Sequence, residues 1–295
     1  MPLRFGVAVS GGPDSLALLL LAHALRPDHV EAATVDHGLR PESAGEAVEV
    51  ARVCAELGVA HSTIPVTVEE GNMQEAARKA RYAALGDWAA ERGLVAVATA
   101  HHADDQAETV LMRLNRASGL RGLSAIRAVN AVPSTGTLIV RPLLAWTKAE
   151  LQRIVTEAGI AAVIDPSNTD LRFDRARVRA GLASANWLDA EGIARSAGHL
   201  AQAEHALGWA VEREWREQVT ESGDGLVYRP IDAPEAIRLR IFERMIALSG
   251  GTQPRGGELA ALSERLRGGG RATLGGAIIE VVRGLWKVRP ESPRR

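Results

Sequence analysis

From Leu3 to Ala158 short apolar runs alternate with longer helix-patterned stretches, and this alternation leaves few folds open. Leu3–Val9, Val30–Val35, His61–Val66, Leu94–Thr99 and Leu138–Val140 read as strands. Leu16–Leu25, Glu42–Leu57, Asn72–Arg92, Asp104–Asn115 and Lys148–Ala158 read as the helices that follow them. Strands joined through a helix pair in parallel, by right-handed crossovers. The expected fold is therefore α/β, a parallel sheet covered by helices on both faces. Ligands of such sheets sit beyond the carboxyl ends of the strands. Ser10, Asp36 and His101 all fall at or just past such ends, which puts three polar motifs in one crevice.

The pattern changes after Asp165-Pro166. A polar, Arg-rich stretch over residues 165–179 leads to helices near 189–220 and 234–248. Short runs follow at Ala272–Leu274, Ile278–Val282 and Leu285–Val288, and the last two read as a hairpin turning at Arg283-Gly284. A chain of 295 residues suits two domains. The boundary is expected near 185–215, giving a catalytic domain over 1–200 and a smaller, mainly helical domain over 201–295 that ends in the hairpin.

Apolar content of 46% with 24% charged residues excludes a disordered chain. One cysteine excludes an internal disulfide and any all-cysteine metal site, and fits a reducing compartment. Cys54 itself reads as a small buried apolar residue. Leu16–Leu25 is too short to span a bilayer, so a buried helix in a cytoplasmic protein is expected, with no membrane partner. The net charge is −1, but residues 1–170 hold 15 basic and 20 acidic residues while residues 171–295 hold 20 and 16. That asymmetry favours an anionic macromolecule as partner for the second half. Trp146, Trp187, Trp209, Trp215 and Trp286 fall in amphipathic helical patterns or the hairpin, and most read as core.

The segment Ser10-Gly11-Gly12-Pro13-Asp14-Ser15 lies between the first strand and the first helix. Glycines let a backbone approach a ligand, and amides at a helix start attract anions. The hydroxyls of Ser10 and Ser15 can add donors to phosphate oxygens. Neither Walker spacing nor Gly-x-Gly-x-x-Gly is present. Without a loop lysine, charge on a phosphate chain must be met by Mg²⁺ and by Arg or Lys from elsewhere. Asp14 is the candidate metal carboxylate. The plain alternative is a Gly-rich turn that enters a helix.

Ser10–Ser15 resembles the signature of the N-type ATP pyrophosphatases, the PP-loop superfamily. Further motifs resemble the tRNA(Ile)-lysidine synthetase family: Val35-Asp36-His37-Gly38-Leu39-Arg40, Asn72 to Arg78, and His101-His102-Ala103-Asp104-Asp105-Gln106-Ala107-Glu108-Thr109. Arg113-Leu114 with Arg116-Ala117-Ser118-Gly119-Leu120, Arg141-Pro142-Leu143-Leu144 and Asp165-Pro166-Ser167-Asn168 follow in family order, leading to Arg175, Arg177 and Arg179. The likeness covers roughly residues 5–180, with residues 272–290 similar to the end of the family's first C-terminal domain. Ala117 departs from the family's Gly in Arg-Gly-Ser-Gly, which bears on the flexibility of that loop.

The resemblance implies a two-step ligase. The C2 carbonyl oxygen of the wobble cytidine in a CAU anticodon of tRNA(Ile) attacks the α-phosphate of ATP, and free L-lysine then displaces AMP to leave lysidine. It implies ATP bound by Ser10, Gly11, Gly12, Pro13, Asp14 and Ser15, with Mg²⁺ at Asp14. It also supports a role for Asp105 and Glu108, three apart on one helix face, in holding the α-ammonium of lysine. Asp104 would cap that helix, and an acid-rich first turn is the plain alternative. Asp36 suits a Mg²⁺ or lysine contact, or a mere turn. Arg113 and Arg116 suit charge on phosphate or nucleic acid, or a solvated helix end. Arg175, Arg177 and Arg179 suit the tRNA backbone, or plain surface. For His101 and His102, orientation or phosphate contact is preferred to zinc. The 201–295 domain is expected to bind tRNA, and a homodimer is left open. Two rival readings stand beside this one: a small-molecule PP-loop ligase or amidotransferase, and a non-catalytic nucleotide- or RNA-binding protein.

Overall fold

A computed structural model describes residues 3–38, 43–67, 73–163, 172, 174–223, 225–252, 254 and 256–291. The chain divides into two compact units, Met1–Ala201 and Gln202–Arg295.

The first unit runs β1 (Phe5–Ala8), α1 (Pro13–Leu25), β2 (Val30–Asp36), α2 (Ser43–Glu56), β3 (Ala60–Pro65), α3 (Met73–Glu91), β4 (Ala96–Ala98), α4 (Ala103–Leu114), α5 (Leu120–Leu123), β5 (Val129–Ala131), β6 (Leu138–Val140), α6 (Lys148–Glu157) and α7 (Asp174–Ser184). Its sheet has the order β3-β2-β1-β4-β6-β5. Strands β3, β2, β1, β4 and β6 pair in parallel, as the alternation predicts. β5 does not: it pairs antiparallel with β6. Val132 N–H donates to Thr137 O at 2.8 Å, closing a turn too short for a parallel crossover. The chain steps from β1 out to β2 and β3, then returns to set β4 on the other side of β1. That reversal opens a crevice at the carboxyl ends of β1 and β4.

Adjacent strand residues separate the two faces. Ala32 and Ala98 join one core with Leu16, Leu19, Val50, Val53, Leu151 and Val155, from α1, α2 and α6. Ala33 and Val97 join the other, under Leu85, Trp88 and Ala89 of α3. Cys54 is fully buried in the first core, which raises its thiol pKa to about 11. Gly6 in β1 allows Trp88 to approach, since a Cβ there would lie 2.4 Å from the indole ring.

Helix α8 (Ala190–Gln218) leads the chain into the second unit. There β7 (Val219–Ser222), β8 (Gly225–Tyr228), α9 (Glu235–Leu248), α10 (Gly256–Arg265), β9 (Gly270–Leu274), β10 (Ala277–Val282) and β11 (Leu285–Pro290) follow. The strands form one antiparallel sheet, β7-β8-β11-β10-β9. The β10–β11 hairpin is as expected, with Arg283 and Gly284 both at positive φ in its turn. Alongside its helices the unit holds a five-stranded sheet, of which β7, a polar four-residue strand, and β8, the short run Leu226 to Tyr228, were not expected. Phe242 packs 4.1 Å from Trp286 and 5.6 Å from Tyr228, ring centre to ring centre, in this unit's core. Trp187 and Trp209 are 79% and 62% exposed, so the core reading fails for both. Among the described residues, no helix is long and apolar enough to cross a membrane.

Gly6→Ala is expected to lower unfolding stability by about 1–3 kcal/mol through overpacking against Trp88. Urea denaturation checks this, and an unchanged midpoint would contradict the close approach.

Candidate active site

β1 is followed by Ser10 and by Gly11 at φ +83, a left-handed conformation that glycine adopts without strain. Gly12 is the N-cap of α1 and Pro13 its first residue, and no side chain caps the helix. The head of α1 therefore presents backbone amides without a side-chain acceptor, as an anion site requires. The serine hydroxyls are partly committed within the loop. Ser15 Oγ donates to Gly12 O at 2.9 Å and accepts from Ser10 N–H at 3.1 Å, while Ser10 Oγ lies 3.3 Å from Ser15 Oγ. The buried Ser15 thus shapes the loop, and Ser10 is the exposed hydroxyl.

His102 follows β4 and is only 4% exposed. Its Nε2 lies 3.5 Å from Asp14 Oδ2 and 3.6 Å from Asp105 Oδ2, and its Nδ1 lies 3.3 Å from Asp104 Oδ2. Burial opposes a charge on this ring, but contacts with Asp104 and Asp14 and the charges of Asp105 and Asp14 outweigh it. The pKa rises to about 10, so His102 is an imidazolium at neutral pH. Its backbone also opens α4: His102 N–H donates to Asp105 Oδ2 at 3.0 Å. Asp104, expected to cap this helix, instead accepts from Lys148 N–H at 2.9 Å and ties the start of α6 to the start of α4. The His102 contact, first among its causes, holds the Asp104 carboxyl at about 2.

Asp105 and Glu108 do share a face of α4, and Glu108 is 2% exposed. Guanidinium groups occupy both. Arg175 donates from Nε to Glu108 Oε2 and from Nη2 to Asp105 Oδ1, each at 2.6 Å. Arg179 Nε donates to Glu108 Oε1 at 2.6 Å. The alternating look of Arg175, Arg177 and Arg179 is misleading, because these residues lie on helix α7. Positions four apart share a helical face, so 175 and 179 meet the acids while Arg177 pairs with Asp174. In this structure Arg175 and Arg179 therefore bind carboxylates.

Asp36 ends β2 and accepts from Gly38 N–H at 2.9 Å, an Asx turn. Arg113 Nη1 donates to the carbonyls of Gly122 and Ala125, bracing the loop after α4. Gln106 clamps the same loop through both its amide atoms to Ile126. Ala117 sits in this loop at φ +51, where an alanine is strained and a glycine is not. Arg116 is exposed and pairs with Asp174 at 3.1 Å. Arg40 and Asp165 to Asn168 lie outside the described residues. Asp14 fits a Mg²⁺ contact: its Oδ1 is buried and has no hydrogen-bond partner among the described residues. They include no group of three or more metal-binding side chains, so an ion here would draw other ligands from phosphate and water.

Arg78, Arg81 and Arg141 join the site without having been expected there. Burial first, then the charges of Arg141, Arg78, Arg175 and Arg81, hold the His101 pKa down at about 3. His101 is thus neutral beside an imidazolium neighbour, with Nδ1 3.1 Å from Thr99 Oγ1. The signal lay in quoted motifs, since Arg78 closes the Asn72 segment and Arg141 opens Arg141-Pro142-Leu143-Leu144.

The amide-rich loop, the parallel sheet and the crevice at its reversal define a PP-loop nucleotide-binding protein, and residues 2–185 match the PP-loop domain family. The U34-tRNA thiolase NcsA from Methanococcus maripaludis, solved with its [4Fe-4S] cluster, has the same fold, with a TM-score of 0.58 at 17% identity over 68% of this chain and 72% of that one. Sequence relatives narrow the class. The tRNA(Ile)-lysidine synthase of Novosphingobium aromaticivorans is 50% identical over 96% of this chain and 88% of its own length. That of Zymomonas mobilis is 41% identical over 93% and 85%. The chain belongs to the tRNA(Ile)-lysidine synthase family.

Because the unfolded ring titrates near 6.5 and the folded ring near 3, the unfolded state binds the extra proton between those values. The stability contributed by keeping His101 neutral is full above pH 6.5 and lost as pH falls toward 3. His101→Gln should flatten the decline of stability with acid, and the His101 ring signals should not titrate from about pH 8 to about pH 5 by NMR. A midpoint near the ordinary value would refute the environment described.

Proposed function

We propose that this chain is a ligase that converts the wobble cytidine of a CAU-anticodon tRNA(Ile) to lysidine, using ATP and free lysine. The observation that carries the reading is the His102 bridge. One imidazolium touches both Asp14, at the head of the nucleotide loop, and Asp105, in the acid pair. An ATP site and an ammonium site thereby lie within one side chain's span.

In the first step the C2 carbonyl oxygen of cytidine bonds to the α-phosphorus and the bond to the β-phosphate oxygen breaks. The amides at the head of α1 stabilise phosphate charge as it develops. Asp14 is the residue suited to Mg²⁺, which when bound supplies charge neutralisation for the phosphates. In the second step a neutral ε-amine of lysine attacks C2, the C–O bond to AMP breaks, and the amine's surplus proton is released. Asp105 and Glu108 hold the α-ammonium of lysine, so that cation must compete with Arg175 and Arg179 for the same oxygens. Once displaced, these two arginines are suited to RNA phosphates, as Arg116 and Arg177 are from the surface. Asp36 is assigned a Mg²⁺ or lysine contact, and Arg113 a positioning role through the loop it braces. The 201–295 unit is proposed to contact tRNA. A homodimer and a cytoplasmic location are consistent with this reading.

The test is AMP formation from ATP with tRNA alone, lysine alone and both. AMP that depends on a CAU-anticodon tRNA supports the proposal, whereas AMP formed with a small carboxylate and no RNA selects a small-molecule ligase. A second test uses Asp105→Asn, which removes a charge-assisted partner. The KM for lysine should rise roughly 10- to 150-fold while ATP affinity is unchanged. A comparable loss of ATP affinity would move Asp105 out of the lysine site.

A further inference from the structure

Arg78 and Arg81 lie three apart on α3 and so share a face, with Tyr82 next in the chain. The Arg78 guanidinium carbon lies 5.1 Å from the Tyr82 ring centre and that of Arg141 6.0 Å. Arg141 follows β6 and is 4% exposed. It donates from Nη1 to Arg127 O at 2.7 Å and from Nη2 to Tyr82 Oη at 3.3 Å. Its buried Nε has no hydrogen-bond partner among the described residues. Nor, among those residues, does any carboxylate form an ion pair with Arg78, Arg81 or Arg141, in contrast to the acid-matched Arg175 and Arg179. Thr99 N–H donates to Val140 O at 2.9 Å, which sets the ends of β4 and β6, and hence His101 and Arg141, side by side. Like charges gathered without counter-charge repel, and an anion bound among them relieves the repulsion. A buried guanidinium with an unused donor is suited to a tetrahedral oxyanion.

We propose that Arg78 and Arg141, both against the Tyr82 ring, and Arg81, on the face of α3 it shares with Arg78, form a phosphate-binding site beside His101 and separate from the Ser10–Ser15 loop. The phosphate is either the pyrophosphate split from ATP or a phosphate of the RNA backbone. This assignment rests on the ligase reading for the presence of both anions. His101 borders the site and, being uncharged, adds no further positive charge.

The experiment compares the full chain with Arg78→Gln, Arg81→Gln and the double variant, at exposed positions of α3. Binding of inorganic pyrophosphate is measured by calorimetry, and binding of a tRNA transcript by filter retention across a salt series. Losing a charge-assisted contact should weaken one of these ligands by about tenfold or more. A loss confined to pyrophosphate identifies the leaving group. A loss confined to RNA, with the salt slope reduced by roughly 0.7 per contact, identifies the backbone. If both affinities stay within about tenfold of the parent in the double variant while thermal melting is unchanged, the site is refuted. A lower melting temperature with unchanged binding gives Arg78 and Arg81 a merely structural role and refutes it equally. Neither readout needs lysine transfer, so failure of the ligase assay leaves this test intact.

Discussion

A buried imidazolium between three carboxylates organises the first unit. His102 touches Asp14 at the head of α1, Asp104 at the start of α4, and Asp105 one residue further on. Through Asp104 the same cluster reaches the amide of Lys148 and fixes where α6 begins. A charge that far from water persists only because opposite charges surround it. Without those carboxylates the ring would be a buried, uncompensated charge. Nucleotide loop, acid pair and a third helix are therefore joined by electrostatics as well as by packing.

Two neighbouring histidines take opposite charge states. Burial disfavours charge on both rings, but His102 faces carboxylates that outweigh it and is held cationic. His101 is held neutral by burial first and by the guanidinium groups around it second. The boundary between negative and positive surroundings thus runs between adjacent residues at the end of β4. On one side lie the acids suited to an ammonium, and on the other the arginines suited to phosphate. The proposed joining of lysine to a phosphate-activated base would use both environments.

Arg175 and Arg179 show how the acid pair is satisfied in this structure. Glu108 is fully buried and receives two guanidinium groups, so its charge is matched. Under the proposed reading, a lysine ammonium would compete with these guanidinium groups for the same oxygens. The two serines of the nucleotide loop show a similar economy, because Ser15 is spent on the turn that aims the amides, leaving Ser10 as the exposed hydroxyl.

Local pattern was enough for much of this protein. The helix and strand periods of residues 3–158 dictated a parallel α/β sheet, since each apolar run is too short to be anything but a strand and each connection too long to be a hairpin. The glycines before Pro13, the paired acids on α4 and the hairpin at Arg283-Gly284 could be read because their geometry depends only on near neighbours in the chain. Tertiary structure decided the rest. No local signal says that β5 turns back along β6, that two four-residue strands complete the second sheet, or that Asp104 serves α6 while His102 caps its helix. The same holds for the Arg-rich segment, whose spacing suggested the tRNA backbone or plain surface and whose helix carries two guanidinium groups onto acids of α4. Partners of a charge can lie far apart in the chain, 71 residues for Arg179 and Glu108 and further still for His102 and Asp14. Which charges meet is settled by the packing that brings distant elements together, and periodicity along the chain does not encode it.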